Sequence, residues 1–148
     1  MVVVIISYRL LEDIAIADAC FDLFGNSLEE LFHAGFLALM ETSVEIHTVK
    51  ENVKKNITLE HRNLEQLLFG FLEELIFLKD AEFLIFKTCE LSIDLNPESS
   101  LYTLSANVTG QEFNNEVSTI TDVKAITFYQ LFVRQNENGW EARVTFDL

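Results

Sequence analysis

Apolar and polar positions recur along this chain with two periods, and the switches between them divide it into elements. The clearest period-two signal is at the end of the chain, where Trp140, Ala142, Val144 and Phe146 alternate with Glu141, Arg143, Thr145 and Asp147, the mark of a half-buried strand. Before it, the odd positions Ala125, Thr127, Tyr129, Leu131 and Val133 form one face, with Lys124 and Gln130 on the other. Asn136-Glu137-Asn138-Gly139 joins the two runs and supplies the Asn and Gly that positive-φ turn positions require, so the pair reads as a closing antiparallel hairpin.

Earlier segments follow the same logic. Val2 to Leu11 is too continuously apolar for a strand with a wet face, and Ala15 to Phe24 reads as a second strand closing on Gly25-Asn26. Ser27-Leu28-Glu29-Glu30 is a capping box opening a helix, along which Leu28, Leu31, Phe32, Phe36, Leu39 and Met40 make one stripe. Ser43 to Lys50 and Val53 to Glu60 read as short strands. Asn63 caps a second helix, whose wide apolar face runs from Leu64 through Leu68, Phe71 and Leu75 to Ile76, ending at Lys79-Asp80. Period two returns from Phe83, with Cys89, Leu91 and Ile93 inward, and again over Leu101 to Thr109, where Tyr102, Leu104, Ala106 and Val108 point inward. Gly110 to Asn115 is expected to break that strand. Two helices with about seven strands predict an α+β fold, the helices on one face of a largely antiparallel sheet, in a single domain spanning residues 1–148.

Charge changes the picture of partners. The 24 Asp and Glu against 10 Lys and Arg leave −14, a surface that repels phosphate backbones and points to cations or basic proteins. No stretch reaches the length of a membrane span, and the opening apolar run lacks the basic flank of a secretory leader. Cys20 and Cys89 are too few and too far apart for a disulfide framework or a zinc knuckle, so they are expected as buried free thiols of a reducing, cytoplasmic compartment. Without a secretion signal, the glycosylation patterns at Asn56 and Asn107 carry no weight.

Glycine loops for phosphate, CxxC pairs, nucleophile elbows and paired helical histidines are all missing, and His33, His47 and His61 form no set. Carboxylates remain. Asp18 lies in mid-strand among apolar neighbours, and Asp147 lies on the last strand. The residues alone leave two readings open: solvated acids, or oxygen ligands that meet across a sheet around a hard cation. Lys124 is equally open, since a lone lysine on an edge strand also guards against aggregation.

The motifs taken together are more specific. Asp18 seven residues before Gly25, then SLEELF, LEQLLFGFLEELIF, TGQEF, VKAITFYQLFVR and GWEARVTFDL, resemble the archease family over essentially the whole chain and in the same order. The resemblance implies an accessory protein rather than an enzyme. Archeases are metal-binding α+β proteins that assist GTP-dependent RNA ligases of the RtcB type in tRNA splicing and RNA repair, promoting guanylylation of the ligase and multiple turnover. It implies Asp18 and Asp147 as metal ligands, with calcium first and magnesium or manganese as alternatives, and Lys124 as the lysine of the VKA motif acting in ligase activation. The chain departs from the family pattern at two places. Ala15, Ile16 and Ala17 stand where His-Thr-Ala precedes the aspartate, and Gln111 follows Gly110 with the acid displaced to Glu112. A second reading is therefore a binding or assembly module that kept the fold and lost the activator role. The third, a carboxylate hydrolase, needs two acids of separated pKa in one pocket.

Overall fold

A computed structural model describes residues 7–11 and 18–148. The elements are β1 (Ser7–Leu11), β2 (Asp18–Gly25), α1 (Leu28–Ser43), a 3-10 turn (Ile46–Thr48), β3 (Val53–His61), α2 (Leu64–Glu82), β4 (Leu84–Asn96), β5 (Leu101–Glu112), β6 (Ala125–Asn136) and β7 (Gly139–Asp147). Residues 2–6 of the strand expected from Val2 and 15–17 of the one expected from Ala15 lie outside the described residues, and the rest of these two runs forms β1 and most of β2.

The α+β class and the antiparallel pairing are as expected, but the strands form two sheets rather than one: β1-β2-β7-β6 and β3-β5-β4. The helices join them. α1 packs against β2 of the first sheet and β4 of the second, and α2 packs against β6 and β3. Phe32 of α1 stacks on Phe71 of α2, with ring centroids 6.3 Å apart. Around that contact lie the fully buried Leu23, Leu31, Phe36, Leu68, Leu72, Phe86 and Phe146, so both helices and both sheets share one core.

Local chemistry sets the helix ends. The Ser27 hydroxyl accepts from the Glu30 N–H at 3.1 Å, while the Glu30 carboxylate reaches back to the Asn26 N–H at 2.7 Å, one residue earlier than a standard capping box places it. The Asn63 side chain caps α2 in the same way, on Gln66 N–H at 3.0 Å. α2 runs past Lys79-Asp80 to Glu82 and ends on Phe83 in the left-handed region (φ 57°).

Three expectations fail for identifiable reasons. Ser43 to Lys50 is not a strand: α1 continues to Ser43, Val44 makes one isolated bridge to Thr119, and the 3-10 turn follows. Its backbone groups are satisfied by the 118–121 segment, with Glu45 N–H on Ser118 carbonyl and Ile120 N–H on Ser43 carbonyl, both at 2.8 Å. Gly110 does not break β5, which continues to Glu112 beside β4. Glycine serves close approach there rather than a turn. In the hairpin, Gly139 alone takes positive φ (142°), while Asn136 accepts from the Asn138 N–H at 2.9 Å.

Candidate functional site

β2 and β7 pair antiparallel, so residues opposite one another share a face. The face turned away from the helices therefore carries three matched positions: Asp18 with Asp147, Cys20 with Thr145, and Asp22 with Arg143, of which Cys20, Thr145 and Asp22 are themselves buried. Ala19, Phe21 and Leu23 of β2, with Ala142, Val144 and Phe146 of β7, alternate inward to the core. The same register places Ala125 of β6 beside Asp147 and Arg9 of β1 beside Asp22.

Asp18 and Asp147 are thus directly opposite, and both are half-buried. Cβ atoms at such positions lie about 4.5–5.5 Å apart, and like charges placed so are destabilising. Neither carboxylate has a hydrogen-bond or ion-pair partner among the described residues. Two unpaired hard-oxygen donors on one face suit a hard cation, which would also relieve their repulsion. Among the described residues no third His, Cys, Asp or Glu joins them in a cluster. Lys124 reaches the same place by its backbone: its N–H donates to the Asp147 carbonyl at 2.8 Å, and its side chain is exposed.

The two family departures divide. Ala15 to Ala17 lie outside the described residues. Gln111 is buried, its Oε1 accepting from Lys50 N–H at 2.6 Å and its Nε2 donating to the Glu112 carbonyl at 3.0 Å. A glutamine is well suited there because both its donor and its acceptor are satisfied by backbone, whereas a carboxylate brings no donor.

Sequence reasoning missed the charged network four residues along β2 from Asp18. Asp22 is 6% exposed, and its carboxylate accepts from Arg9 Nη2 and from Arg143 Nε, each at 2.7 Å. Burial alone would raise this carboxyl, but the hydrogen bonds and charges of Arg143 and Arg9 outweigh it and hold the pKa below the ordinary value. Only the register links these three residues. Lys79 was read as the end of α2, yet it is buried there, donating from Nζ to Asp122 Oδ1 and, at 2.6 Å, to the Val123 carbonyl. That tie anchors the segment leading into Lys124, beside a cavity of about 410 Å³ rimmed by Phe83, Phe113 and Ile120. Its signal in the sequence is position alone, three residues beyond Ile76 on the apolar stripe.

The histidines and cysteines stay apart from this face or are inert. His47 and His61 are exposed. His33, on α1, has a buried Nδ1 without a hydrogen-bond partner among the described residues, and burial lowers its pKa. Cys20 and Cys89 are both buried and unbridged, and burial with Glu90 nearby pushes the Cys89 thiol up to about 12. No helix among the described residues is long and apolar enough to cross a membrane.

These shifts predict two acid-sensitive windows. A histidine with lowered folded pKa stabilises above its unfolded value near 6.5 and loses that contribution as pH falls through the folded pKa. Asp22 contributes fully above its unfolded value of 3.8 and loses its contribution below it, as pH falls through the folded pKa. Urea unfolding across pH 7 to 3 is expected to show stability falling in both windows. His33→Gln should flatten the first and Asp22→Asn the second. Unchanged profiles in the variants would contradict the assignment.

Comparison with known proteins fits this architecture. Residues 8–148 match the archease protein family. The chain is similar to protein archease of Pyrococcus furiosus, 32% identical over 127 residues, covering 84% of this chain and 88% of that one. Protein archease of Pyrobaculum islandicum is also 32% identical, over 135 residues, with 89% and 90% covered. Among solved structures, protein 1598 of Methanobacterium thermoautotrophicum superposes with a TM-score of 0.79 at 25% identity, covering 95% of this chain and 98% of that one. An archease from Thermotoga maritima shares the fold, with a TM-score of 0.58 at 17% identity and the same coverage.

Proposed function

The chain belongs to the archease family, and from that premise we propose that it is a metal-binding accessory protein that activates a GTP-dependent RNA ligase of the RtcB type. In this reading it promotes guanylylation and multiple turnover in tRNA splicing or RNA repair, and it is itself non-catalytic. It acts as one domain over residues 1–148, in the cytoplasm, without binding nucleic acid directly. The observation that carries the reading is the pairing of Asp18 with Asp147 at one register position, with the Lys124 backbone bonded to Asp147.

Asp18 and Asp147 would hold the divalent cation, calcium first, with magnesium or manganese as alternatives. A cation bound there supplies a fixed positive charge on an otherwise acidic surface. The chain's own part is to hold it: β2 and β7 set the separation of the two carboxylates, and Phe146 and Ala19, pointing into the core from the neighbouring register position, keep the strands in place. Lys124 is tied to Asp147 by its backbone and has an exposed side chain, whose ammonium suits the phosphates a ligase handles. The acidic balance of −14 favours docking on such a basic surface.

Multiple-turnover ligation with the cognate RtcB-type ligase tests this. The wild type is expected to stimulate it, and Asp18→Ala, Asp147→Ala or Lys124→Ala to return the rate to that of the ligase alone. Calorimetry should give saturable calcium binding that Asp18→Ala and Asp147→Ala abolish. Full stimulation by the aspartate variants would sink the proposal. No stimulation and no metal binding by the wild type would instead favour the binding module that lost activation, the reading that Gln111 motivates.

A further inference from the structure

β6 does not run straight beside β7. Thr127 is opposite Thr145 and Phe132 is opposite Arg143, so β7 advances two residues while β6 advances five, and residues 128–131 arch out of the sheet. An ordinary bulge inserts a single residue. This arch is larger, and it is pinned at every step. The Thr145 hydroxyl donates to the Tyr129 carbonyl at 3.1 Å, Tyr129 N–H donates to Thr127 Oγ1 at 3.3 Å, and Arg143 donates to Gln130 Oε1 at 3.1 Å. Gln130 is held in the left-handed region at φ 52°, which costs a residue with a Cβ about 1–2 kcal/mol. The Phe128 ring lies flat on Phe69 of α2, with centroids 4.0 Å apart and planes within 4°.

The side chains so fixed are nevertheless in water: Phe128 is 58% exposed and Tyr129 53%. Two adjacent aromatic rings, exposed on a backbone held still, are poor material for a core and good material for an interface. They bring large contact area with little side-chain entropy left to lose. Their place in the sheet says what they meet. Thr145, bonded beneath the arch, is paired with Cys20, and each lies two residues along its strand from one aspartate of the facing pair. A surface that approaches Asp18 and Asp147 therefore meets the arch as well.

Charge selects the occupant. Among the described residues the arginines on this face are engaged, Arg9 and Arg143 by Asp22 and Arg134 by Glu141, so they leave the face no unpaired guanidinium of its own. On a chain of −14, that disfavours an acidic partner or a second copy on electrostatic grounds and favours a basic one.

We propose that the Phe128–Tyr129 arch is the anchor by which the chain docks on its ligase, inserting two aromatic rings into an apolar notch beside the ligase's basic, phosphate-binding surface. It rests on the ligase-activator reading and adds the contact surface to it. The two fail separately in one experiment. The cognate RtcB-type ligase is titrated with wild type, Tyr129→Ala, the Phe128→Ala/Tyr129→Ala double variant and Asp18→Ala, with calcium binding and thermal midpoint measured for each. Tyr129→Ala is expected to weaken ligase binding at least about tenfold and the double variant more, with calcium affinity unchanged and full stimulation recovered at saturating protein. Asp18→Ala is expected to do the reverse, docking but failing to stimulate. If the double variant disturbs the Phe69 stack and fails to fold, Tyr129→Ala alone decides. Wild-type affinity in Tyr129→Ala, or in a folded double variant, overturns the proposal while leaving the activator reading intact. A wild type that neither binds nor stimulates the ligase overturns both. Loss of self-association rather than ligase binding in the variants, or competition for the arch by a tRNA oligonucleotide, also overturns it.

Discussion

Gly110→Ala is expected to lower stability by more than about 4 kcal/mol, enough to leave little folded protein if total stability is in the usual range of about 5–15 kcal/mol. Gly110 sits in β5 where its pairing with β4 shifts register between Phe86 and Thr88. A Cβ there would lie 2.5 Å from Phe86 Cα and closer still to the Ile85 carbonyl oxygen. Both neighbours are backbone of the buried start of β4, so neither gives way without breaking the ladder. The other side is tied too, because Asn52 N–H donates to the Gly110 carbonyl at 2.9 Å and Val53 pairs with Gly110. Thermal unfolding should show a midpoint about 10 °C or more below wild type, or no cooperative transition. Gly70→Ala is the control of opposite sign: it lies within α2, where an added Cβ comes no nearer than 3.6 Å to Leu59, so helix propensity alone predicts a gain of about 0.5–1 kcal/mol. A Gly110→Ala protein within 1 kcal/mol of wild type would contradict the close approach.

Phe146→Ala is expected to cost about 3–5 kcal/mol and to weaken calcium binding at the same time. Phe146 is fully buried on β7, its ring 5.8 Å from that of Phe21 and its backbone between Ala19 and Ile126. Emptying that volume removes the packing that seats the last residues of β7, and Asp147 is the next residue. Stability and metal affinity should therefore fall together. Asp147→Asn should separate them, abolishing calcium binding while leaving the metal-free protein as stable or slightly more so, because a facing like charge is gone. Denaturant titrations with and without calcium read both quantities. Phe146→Ala with wild-type calcium affinity would show that the site does not depend on this packing.

The different fates of the sequence-based expectations follow from how local each one was. Ser27 and Asn63 were identifiable as helix caps because the capping bonds span three residues. The β7 alternation was legible because one face of that strand meets the core and the other does not. Ser43 to Lys50 misled because its strand-forming residues find their backbone partners some 70 positions away, in residues 118–120, and there in a single bridge. The β6 alternation misled in the same way: Tyr129 was assigned a place in the sheet, whereas the arch lifts it out, and its retaining bonds come from Thr145 and Arg143 on the neighbouring strand.

The site divides along the same line. That Asp18 and Asp147 lie on strands, and that Lys124 precedes the closing hairpin, could be read from the chain itself, as could the α+β class and the acidic surface. Hydrophobic periodicity and side-chain capping are short-range and written in consecutive residues. That the two acids stand at one register position, that Asp22 holds two arginines, that Lys79 anchors the segment before Lys124, and that the strands divide into two sheets joined by helices were decided only by tertiary structure. Each depends on pairing between segments up to about 130 residues apart, and periodicity states which face a residue takes without stating what lies across from it.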